Sequence, residues 1–242
     1  MFRKIMAWYS GKANARKMRK VPYEFRRNTL PSWTENSITL QDIKRMHGVD
    51  IVQLIKDLGK PRPRVLDSGT GLLKMAIGLK EHFRDNIFVE ALTLHRPEKM
   101  TPAERKDTEK EKQHLEESLR RPDGKDAISR KYSRQVLERL RKHDADLQDT
   151  LQKMRLVDRI SIAYLEYFTP EGTYDVIIDY FGPGTHGNRK KVWKKYFEIT
   201  SPESIIISSS VPYGRFSKFF KAQPIGKAPT MNPRLFLVKR AG

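Results

Sequence analysis

The chain of 242 residues carries 48 Lys and Arg against 29 Asp and Glu, a formal net charge of +19, and it has no cysteine. This length suits one large domain, or one domain with an appendage, whose core needs no disulfide or metal to fold. The composition excludes a disulfide framework or disulfide-linked partner, a cysteine zinc site, an iron–sulfur cluster and a cysteine nucleophile, and its charge favours a polyanionic partner, nucleic acid first.

Residues 1–36 are predicted to form a basic N-terminal arm in front of a main domain over 37–242. Cations alternate in this arm with aromatic residues such as Trp8, Tyr23 and Trp33, a pattern typical of segments that bind phosphates and stack on bases. The alternative is an extension whose aromatic residues pack on the main domain. The arm's predicted RNA-binding residues are Arg16, Lys17, Arg19, Lys20, Arg26 and Arg27.

The sequence also bears on the cellular compartment. No stretch approaches the roughly 20 apolar residues of a membrane span, and the N-terminus lacks the apolar core of a secretory signal. A start free of acids before Glu24 partly fits a mitochondrial transit peptide, although Ser10 is its only serine. The expected localisation is therefore cytoplasmic, with mitochondria as the alternative and no membrane partner.

Two short helices are predicted around Gly48. Thr39 is placed to cap a helix that begins at Leu40, with Asp42 where a carboxylate reaches back to the cap. Apolar residues at helical spacing continue to Leu58, and Gly48 interrupts them. We expect a helical lead-in that covers one edge of a sheet; a helix-turn-helix is the alternative.

Strands and helices alternate over the rest of the chain. This alternation predicts an α/β domain with a mostly parallel sheet and helices on both faces. Strands are expected at 64–67, 87–94, 159–164, 174–180, 203–209 and 235–238, with helices at 72–83 and 190–198.

Residues 96–157 differ from this pattern. Thr101 and Pro102 are typical of a helix start, Pro122 and Gly124 of a turn, and the apolar residues that follow are mostly three, four or seven apart. The segment is predicted to be a helical hairpin inserted into the α/β domain. An overlong helical crossover is the alternative.

A glycine turn follows the first predicted strand. Gly69 and Gly71 allow a tight turn and close approach of a ligand, and Asp67 ends the strand. A dinucleotide fingerprint would need a third small residue where Lys74 stands. The stretch instead resembles the first motif of class I S-adenosylmethionine-dependent methyltransferases, acid-x-Gly-x-Gly. That resemblance implies S-adenosylmethionine as cofactor, lined by Asp67, Ser68, Gly69, Thr70 and Gly71.

The resemblance continues at 174–183, where an aromatic-Asp-aliphatic strand leads to the family's methyl-transfer loop. It implies a Rossmann-like seven-stranded sheet and places Asp179 near the transferred methyl group, beside the cofactor; a cap of the next loop is the alternative role. Tyr180 follows as a candidate catalytic residue. His186 is a candidate general base, because histidine titrates near neutrality, or an ordinary surface-loop histidine.

The sequence departs from the family at two cofactor positions. Members usually have an acid just after the second strand to hold the ribose, whereas the nearby acids here are Glu90, inside the strand, and Glu98, beyond it. Tyr164 and Glu166 stand in place of the commoner Gly-Asp on the adenine side. Glu90, Tyr164 and Glu166 are the candidates at these positions, and no metal site is expected.

The acceptor of the methyl group is less marked in the sequence. The heat-shock-type family of ribose 2′-O methyltransferases has a lysine on the fifth strand. The fifth strand here has none, which argues against that reaction. Enzymes that methylate the amino groups of nucleobases often carry an Asn/Asp-Pro-Pro-aromatic motif after the fourth strand. The stretch Asp179-Tyr180-Phe181-Gly182 resembles that motif only loosely. A basic cluster beside the site is predicted to contact RNA phosphates, with a solvated helix face as the alternative; its residues are Arg189, Lys190, Lys191 and Lys194.

Three functions therefore compete. The first is an RNA methyltransferase, acting on structured or ribosomal RNA. The second is a non-catalytic RNA-binding or ribosome-associated factor on a methyltransferase scaffold. The third is a methyltransferase for a protein or small molecule. The sequence fixes neither the acceptor atom nor the oligomeric state.

Overall fold

The structure, a computed structural model, describes the main domain with gaps. The chain separates into two units, Met1–Thr34 and Glu35–Gly242, and all described residues belong to the second. The predicted basic arm and its boundary at residue 36 lie outside the described part and stay predictions. The described residues are 38–69, 72–93, 110, 112–117, 119–120, 134, 137–138, 141, 145–180, 182–183, 188–227 and 234–241.

One seven-stranded sheet organises the domain, in the order β3-β2-β1-β4-β5-β7-β6. Strands β1 to β5 run parallel to one another, and β7 runs antiparallel to both β5 and β6. The mostly parallel Rossmann-like sheet is thus confirmed. The strands are β1 Arg64–Asp67, β2 Phe88–Thr93, β3 Arg159–Ile162, β4 Tyr174–Asp179, β5 Thr200–Ser208, β6 Phe220–Ile225 and β7 Leu235–Arg240.

The predicted helices form close to their expected bounds. Thr39 and Asp42 exchange hydrogen bonds in a complete capping box, and Gly48 ends the first helix in the left-handed conformation that glycine tolerates. The helices are α1 Leu40–His47, α2 Ile51–Lys56, α3 Lys74–Phe83 and α4 Arg189–Ile199, with 3-10 turns at Arg84–Asn86, Met154–Leu156, Leu165–Tyr167 and Gly214–Lys218.

Two apolar clusters cover opposite faces of the sheet. Alternate residues of each strand point to opposite faces, so Val65 joins the cluster under α1, α2 and α3, whereas Leu66 joins the cluster under α4. In the second cluster α4 contributes Val192, Trp193 and Tyr196, all fully buried. Both faces are therefore closed by helices, as the alternating pattern predicted.

Strand β6 is the element that the sequence did not reveal. It lies at the edge of the sheet, four of its six residues are exposed, and it includes Pro224. An edge strand tolerates proline because the missing N–H would face solvent. Polar exposed residues and a proline leave such a strand without the apolar run that marked the others.

Described parts of the predicted insertion are helical, including residues 112–117 and 145–153. The 145–153 stretch contacts α3 and the turn before it. The Thr150 hydroxyl, fully buried, donates to the Leu72 carbonyl at 2.9 Å, and Lys74 forms an ion pair with Asp146. No helix within the described residues is long and apolar enough to cross a membrane.

Candidate functional site

The strand order creates a switch point between β1 and β4. From β1 the chain crosses through α3 to β2 on one side, and from β4 it crosses through α4 to β5 on the other. At such a switch point, open α/β sheets bind ligands in the crevice outside the carboxyl ends of the strands. Asp67 and Asp179 are the last residues of these two strands, and both are buried.

The backbone after β1 packs directly on the backbone after β4. A Cβ on Gly69 would lie 2.8 Å from Gly182 Cα and 3.0 Å from the Tyr180 carbonyl oxygen, and a Cβ on Gly182 would overlap Asp179 Oδ1. Real Cβ atoms do not approach this closely, so both positions require glycine. Gly69 was a predicted site residue; Gly182 gains its role only from the fold.

Polar side chains line the α4 side of this edge. The Ser68 amide donates to the Ile178 carbonyl at 2.9 Å, and the Ser68 and Tyr196 hydroxyls lie 3.0 Å apart. The Ser208 hydroxyl donates to Asp179 Oδ2 at 3.3 Å. Burial, followed by the charge of Asp179, raises the pKa of Tyr196, so this phenol stays protonated and serves as a hydrogen-bonding group.

Tyr180 points to the other side of the sheet. Its hydroxyl lies 2.9 Å from Nε2 of the fully buried His47 at the end of α1, and the rings meet edge to face. Burial, followed by the charge of Asp42, raises the pKa of Tyr180 to about 12, and burial lowers the pKa of His47. A neutral pair therefore ties α1 to the start of the loop after β4.

The predicted adenine-side residues lie at the same edge, two strands away. Tyr164 and Glu166 follow β3, and both side chains are partly buried. Leu165, between them, is buried in the α4-side cluster and begins the 3-10 turn Leu165–Tyr167. The fold thus brings Tyr164 and Glu166 to the carboxyl edge that holds Asp67 and Asp179.

Glu90 does not lie at this edge. It is fully buried and pairs in register with Leu66 of β1, three residues before β2 ends. The Tyr174 hydroxyl donates to its Oε2 at 2.6 Å and the Ser161 hydroxyl to its Oε1 at 2.5 Å. Both carboxylate oxygens are occupied inside the protein, so the structure argues against the predicted contact of Glu90 with the cofactor.

The predicted basic residues of α4 differ in their pairing. Arg189, Lys190, Lys191 and Lys194 are all exposed, but Lys194 lies 3.4 Å from Glu198, which also pairs with Lys195. Within the described part of the chain, no carboxylate pairs with the other three. The remaining predicted site residues lie outside the described part: Arg16, Lys17, Arg19, Lys20, Arg26, Arg27, Thr70, Gly71 and His186.

Sequence reasoning missed several residues that build the site. The sequence predicted a helix at 190–198, but not that the Tyr196 hydroxyl meets Ser68. Nothing in the sequence marked His47, since its partner Tyr180 is 133 residues away. The run Ser208-Ser209-Ser210 was visible, yet only the β4–β5 register places it beside Asp179.

Among known proteins, only solved structures match this chain. No protein-family model and no curated protein matches the sequence. The chain is similar to the rRNA methyltransferase aviRa from Streptomyces viridochromogenes, with 12% identity, a TM-score of 0.41 and 87% of each chain covered. It is similar to TrmN from Thermus thermophilus, with 13% identity, a TM-score of 0.42 and coverage of 79% of this chain and 48% of that one.

A third similar structure is the N-methyltransferase NodS from Bradyrhizobium japonicum, with 6% identity, a TM-score of 0.38 and coverage of 78% of this chain and 91% of that one. At such identities neither an activity nor an acceptor carries over. The strand order, the switch point and the glycine turn are features of this chain itself. By them, the chain has a Rossmann-like α/β fold with one mostly parallel seven-stranded sheet.

Proposed function

We propose that this protein is an S-adenosylmethionine-dependent methyltransferase that acts on RNA. The observation that carries the proposal is the pair of buried carboxylates, Asp67 and Asp179, that end the two strands flanking the switch point. In the proposal, a ligand bound over this edge of the sheet lies near the ends of both strands and near the glycine turn. Buried carboxylates suit a ligand that carries positive charge, because the low dielectric strengthens their attraction.

The residues at the edge fit this cofactor. S-adenosylmethionine carries a methyl group on a positively charged sulfur. Its amino group and hydroxyls can donate hydrogen bonds to carboxylates. In the proposal Asp67, Ser68 and Gly69, with Thr70 and Gly71, hold the methionine and ribose end. Tyr164 and Glu166 hold the adenine side, and Glu90 has no part.

Methyl transfer at a sulfonium needs alignment more than proton transfer, so the residues near the methyl act mainly by position. Asp179 is proposed to lie beside the reacting centre, since it ends β4 under the tight Gly69–Gly182 contact. Tyr180, with its raised pKa and its bond to His47, would support that loop as a protonated group. His186 stays the candidate general base.

RNA is proposed as the acceptor on the strength of charge. The net charge of +19 favours a polyanion, and Arg189, Lys190 and Lys191 lie at the start of α4, where the chain has just left the carboxyl end of β4. Phosphate contacts there would position a strand over the crevice. The proposed interface also includes Lys194 and the cations of residues 1–36.

Calorimetry of the full chain with S-adenosylmethionine tests the cofactor half of the proposal. We expect saturable binding, weakened about tenfold or more by Asp67→Asn, which keeps the shape of the side chain and removes its charge. The control is Asp85→Asn, a carboxylate in the 3-10 turn Arg84–Asn86, which precedes β2. The absence of wild-type binding at millimolar ligand would exclude catalysis.

Transfer of a labelled methyl group to total RNA and total protein from the source cell tests the acceptor half. Label in RNA alone supports the proposal, and label in protein alone overturns the acceptor while sparing the enzyme. Because phosphate contacts release counterions, RNA labelling below saturation should also fall steeply with added salt.

A non-catalytic RNA-binding factor is the second candidate. The observation that favours it is Glu90, whose oxygens are both occupied, so that the described part of β2 offers no acid to a ribose. RNA binding without measurable S-adenosylmethionine binding is the result expected for this candidate.

A further inference from the structure

One exposed aromatic side chain stands beside the proposed RNA surface. Tyr167 has 74% of its surface exposed, the highest value among the large hydrophobic and aromatic side chains of the described part. It ends the 3-10 turn Leu165–Tyr167 after β3, at the carboxyl edge. The Lys191 ammonium lies 5.8 Å from the centre of its ring.

The backbone holds Tyr167 in this exposed position. Its neighbours Leu165 and Phe168 are both buried in the α4-side cluster, and the Tyr167 amide donates to the Tyr164 carbonyl at 2.9 Å. The ring therefore projects from a turn that the core fixes on both sides. A ring fixed in this way stacks with a partner at little further cost in conformational entropy.

Lys191 belongs to a first turn of α4 whose cations are unfavourable for the helix. The first turn of α4 holds Arg189, Lys190 and Lys191 and no acid, although cations at a helix N-terminus oppose the macrodipole. No described carboxylate offsets them by an ion pair, whereas Glu198 pairs with both Lys194 and Lys195. Helix stability does not account for three cations in this turn, but attraction of a polyanion does.

We infer that Tyr167 is a stacking platform for an unpaired base of single-stranded RNA, with Lys191 holding the adjoining phosphate. An aromatic ring next to a cation on an open surface is the arrangement that binds single strands without sequence readout. A base in a duplex has no free face to offer, so the platform selects unpaired RNA. The inference rests on the RNA part of the proposed function and is independent of methyl transfer.

Binding of a fluorescent ten-nucleotide poly(A) RNA to the full chain, followed by anisotropy, tests the inference. Tyr167→Leu should weaken binding about tenfold, in the range measured for loss of one base–aromatic stack, and Tyr167→Phe should bind as the wild type does. A duplex RNA of the same length should bind Tyr167→Leu and the wild type equally.

Salt dependence separates the two partners of the platform. Lys191→Gln should lower the slope of log K against log salt by about 0.7, the value for one phosphate contact on a single strand, and Tyr167→Leu should leave that slope unchanged. Lys56→Gln is the control, since Lys56 ends α2 on the other face of the sheet and its loss should leave the slope unchanged.

The outcomes distinguish the inference from the function beneath it. Equal affinity of Tyr167→Leu and the wild type for poly(A) overturns the platform alone. A Tyr167→Leu variant that keeps its RNA affinity but loses S-adenosylmethionine affinity assigns the ring to the cofactor and also overturns it. If the wild type binds no RNA, the RNA part of the proposed function fails as well, whatever calorimetry shows for the cofactor.

Discussion

Two fully buried carboxylates, Glu90 and Asp179, show how differently one fold uses the same chemical group. Glu90 lies inside the sheet, and hydroxyls of Tyr174 and Ser161 occupy both its oxygens. Asp179 ends its strand at the switch point, with a hydroxyl of Ser208 on one side and the glycine contact above it. Both acids are buried, so it is their place along the strand that separates Glu90 from the acid proposed to act in methyl transfer.

The hydroxyls around the two acids reinforce this difference. Burial, followed by the hydrogen bond to Glu90, raises the pKa of Tyr174. The Tyr174 phenol therefore stays protonated and continues to donate to the Glu90 carboxylate. The serine side chain that bonds the Asp179 carboxylate is short, and it comes from Ser208, the last residue of β5. We therefore expect the edge acid to govern activity and the interior acid to govern stability.

The largest effect is expected from Asp179→Asn, which keeps the side-chain shape and removes its charge. Single-turnover methyl transfer should slow by about 10²- to 10³-fold, the usual loss when a preorganised electrostatic contact is removed. The free energy of unfolding should change by less than about 1 kcal/mol. A rate within threefold of the wild type would show that the edge acid has no role in transfer.

The next effect is expected from Glu90→Leu, which leaves the buried Tyr174 hydroxyl and the partly buried Ser161 hydroxyl without their acceptor. Each such group costs about 1–3 kcal/mol, so urea denaturation should show a loss of about 2–4 kcal/mol with S-adenosylmethionine affinity unchanged. The double variant Glu90→Leu with Tyr174→Phe should recover part of that loss. A Glu90→Leu protein of wild-type stability that lost cofactor affinity would reverse the roles of the two acids.

A smaller effect is expected from Thr150→Val, which tests how the helical segment 145–153 supports the edge. The substitution removes the buried bond to the Leu72 carbonyl, so unfolding should become easier by about 1–2 kcal/mol. Cofactor affinity should fall a few-fold, because Leu72 directly follows the glycine turn. Thr150→Ser should restore both quantities, and its failure to do so would point to packing of the methyl group instead.

The smallest effect concerns pH and His47. Its pKa in the folded protein is lowered by burial below the ordinary 6.5, so the unfolded chain takes up the proton first. Stability from this group is present above pH 6.5 and is lost as the pH falls below it, by at most about 1.4 kcal/mol per pH unit. Urea denaturation at pH 7.5 and 5.5 should show a weaker pH dependence for His47→Gln than for the wild type; parallel curves would contradict the assignment.

The sequence was sufficient to predict those strands of the sheet whose burial leaves a run of apolar residues. Apolar runs such as Ile205-Ile206-Ile207 mark central strands, because a strand covered on both faces has no polar position to spare. Strand β6 escaped because an edge strand exposes most of its side chains and accepts Pro224. Local patterns report burial, and an edge strand has little of it.

The candidate site was predictable only where it is local. The stretch from Asp67 to Gly71 is continuous in sequence, and the fold places its described residues at the carboxyl edge. The sequence placed Glu90 inside β2, but its partners Tyr174 and Ser161 come from distant parts of the chain, and only the fold shows that they occupy its oxygens. The contacts of Tyr180 with His47 and of Gly69 with Gly182 join residues more than a hundred positions apart, and no local rule reaches that far.

The position of β7 between β5 and β6 has a consequence for synthesis. The last of the described strands fills the gap between two that precede it in the chain, so neither β5 nor β6 can complete its ladder on that side until residue 240 has left the ribosome. The chain after β6 also touches the end of α1, where the Lys227 amide donates to the His47 carbonyl at 2.6 Å. The contact between α1 and residue 227 therefore forms late in synthesis, and contacts so distant in sequence make folding slow.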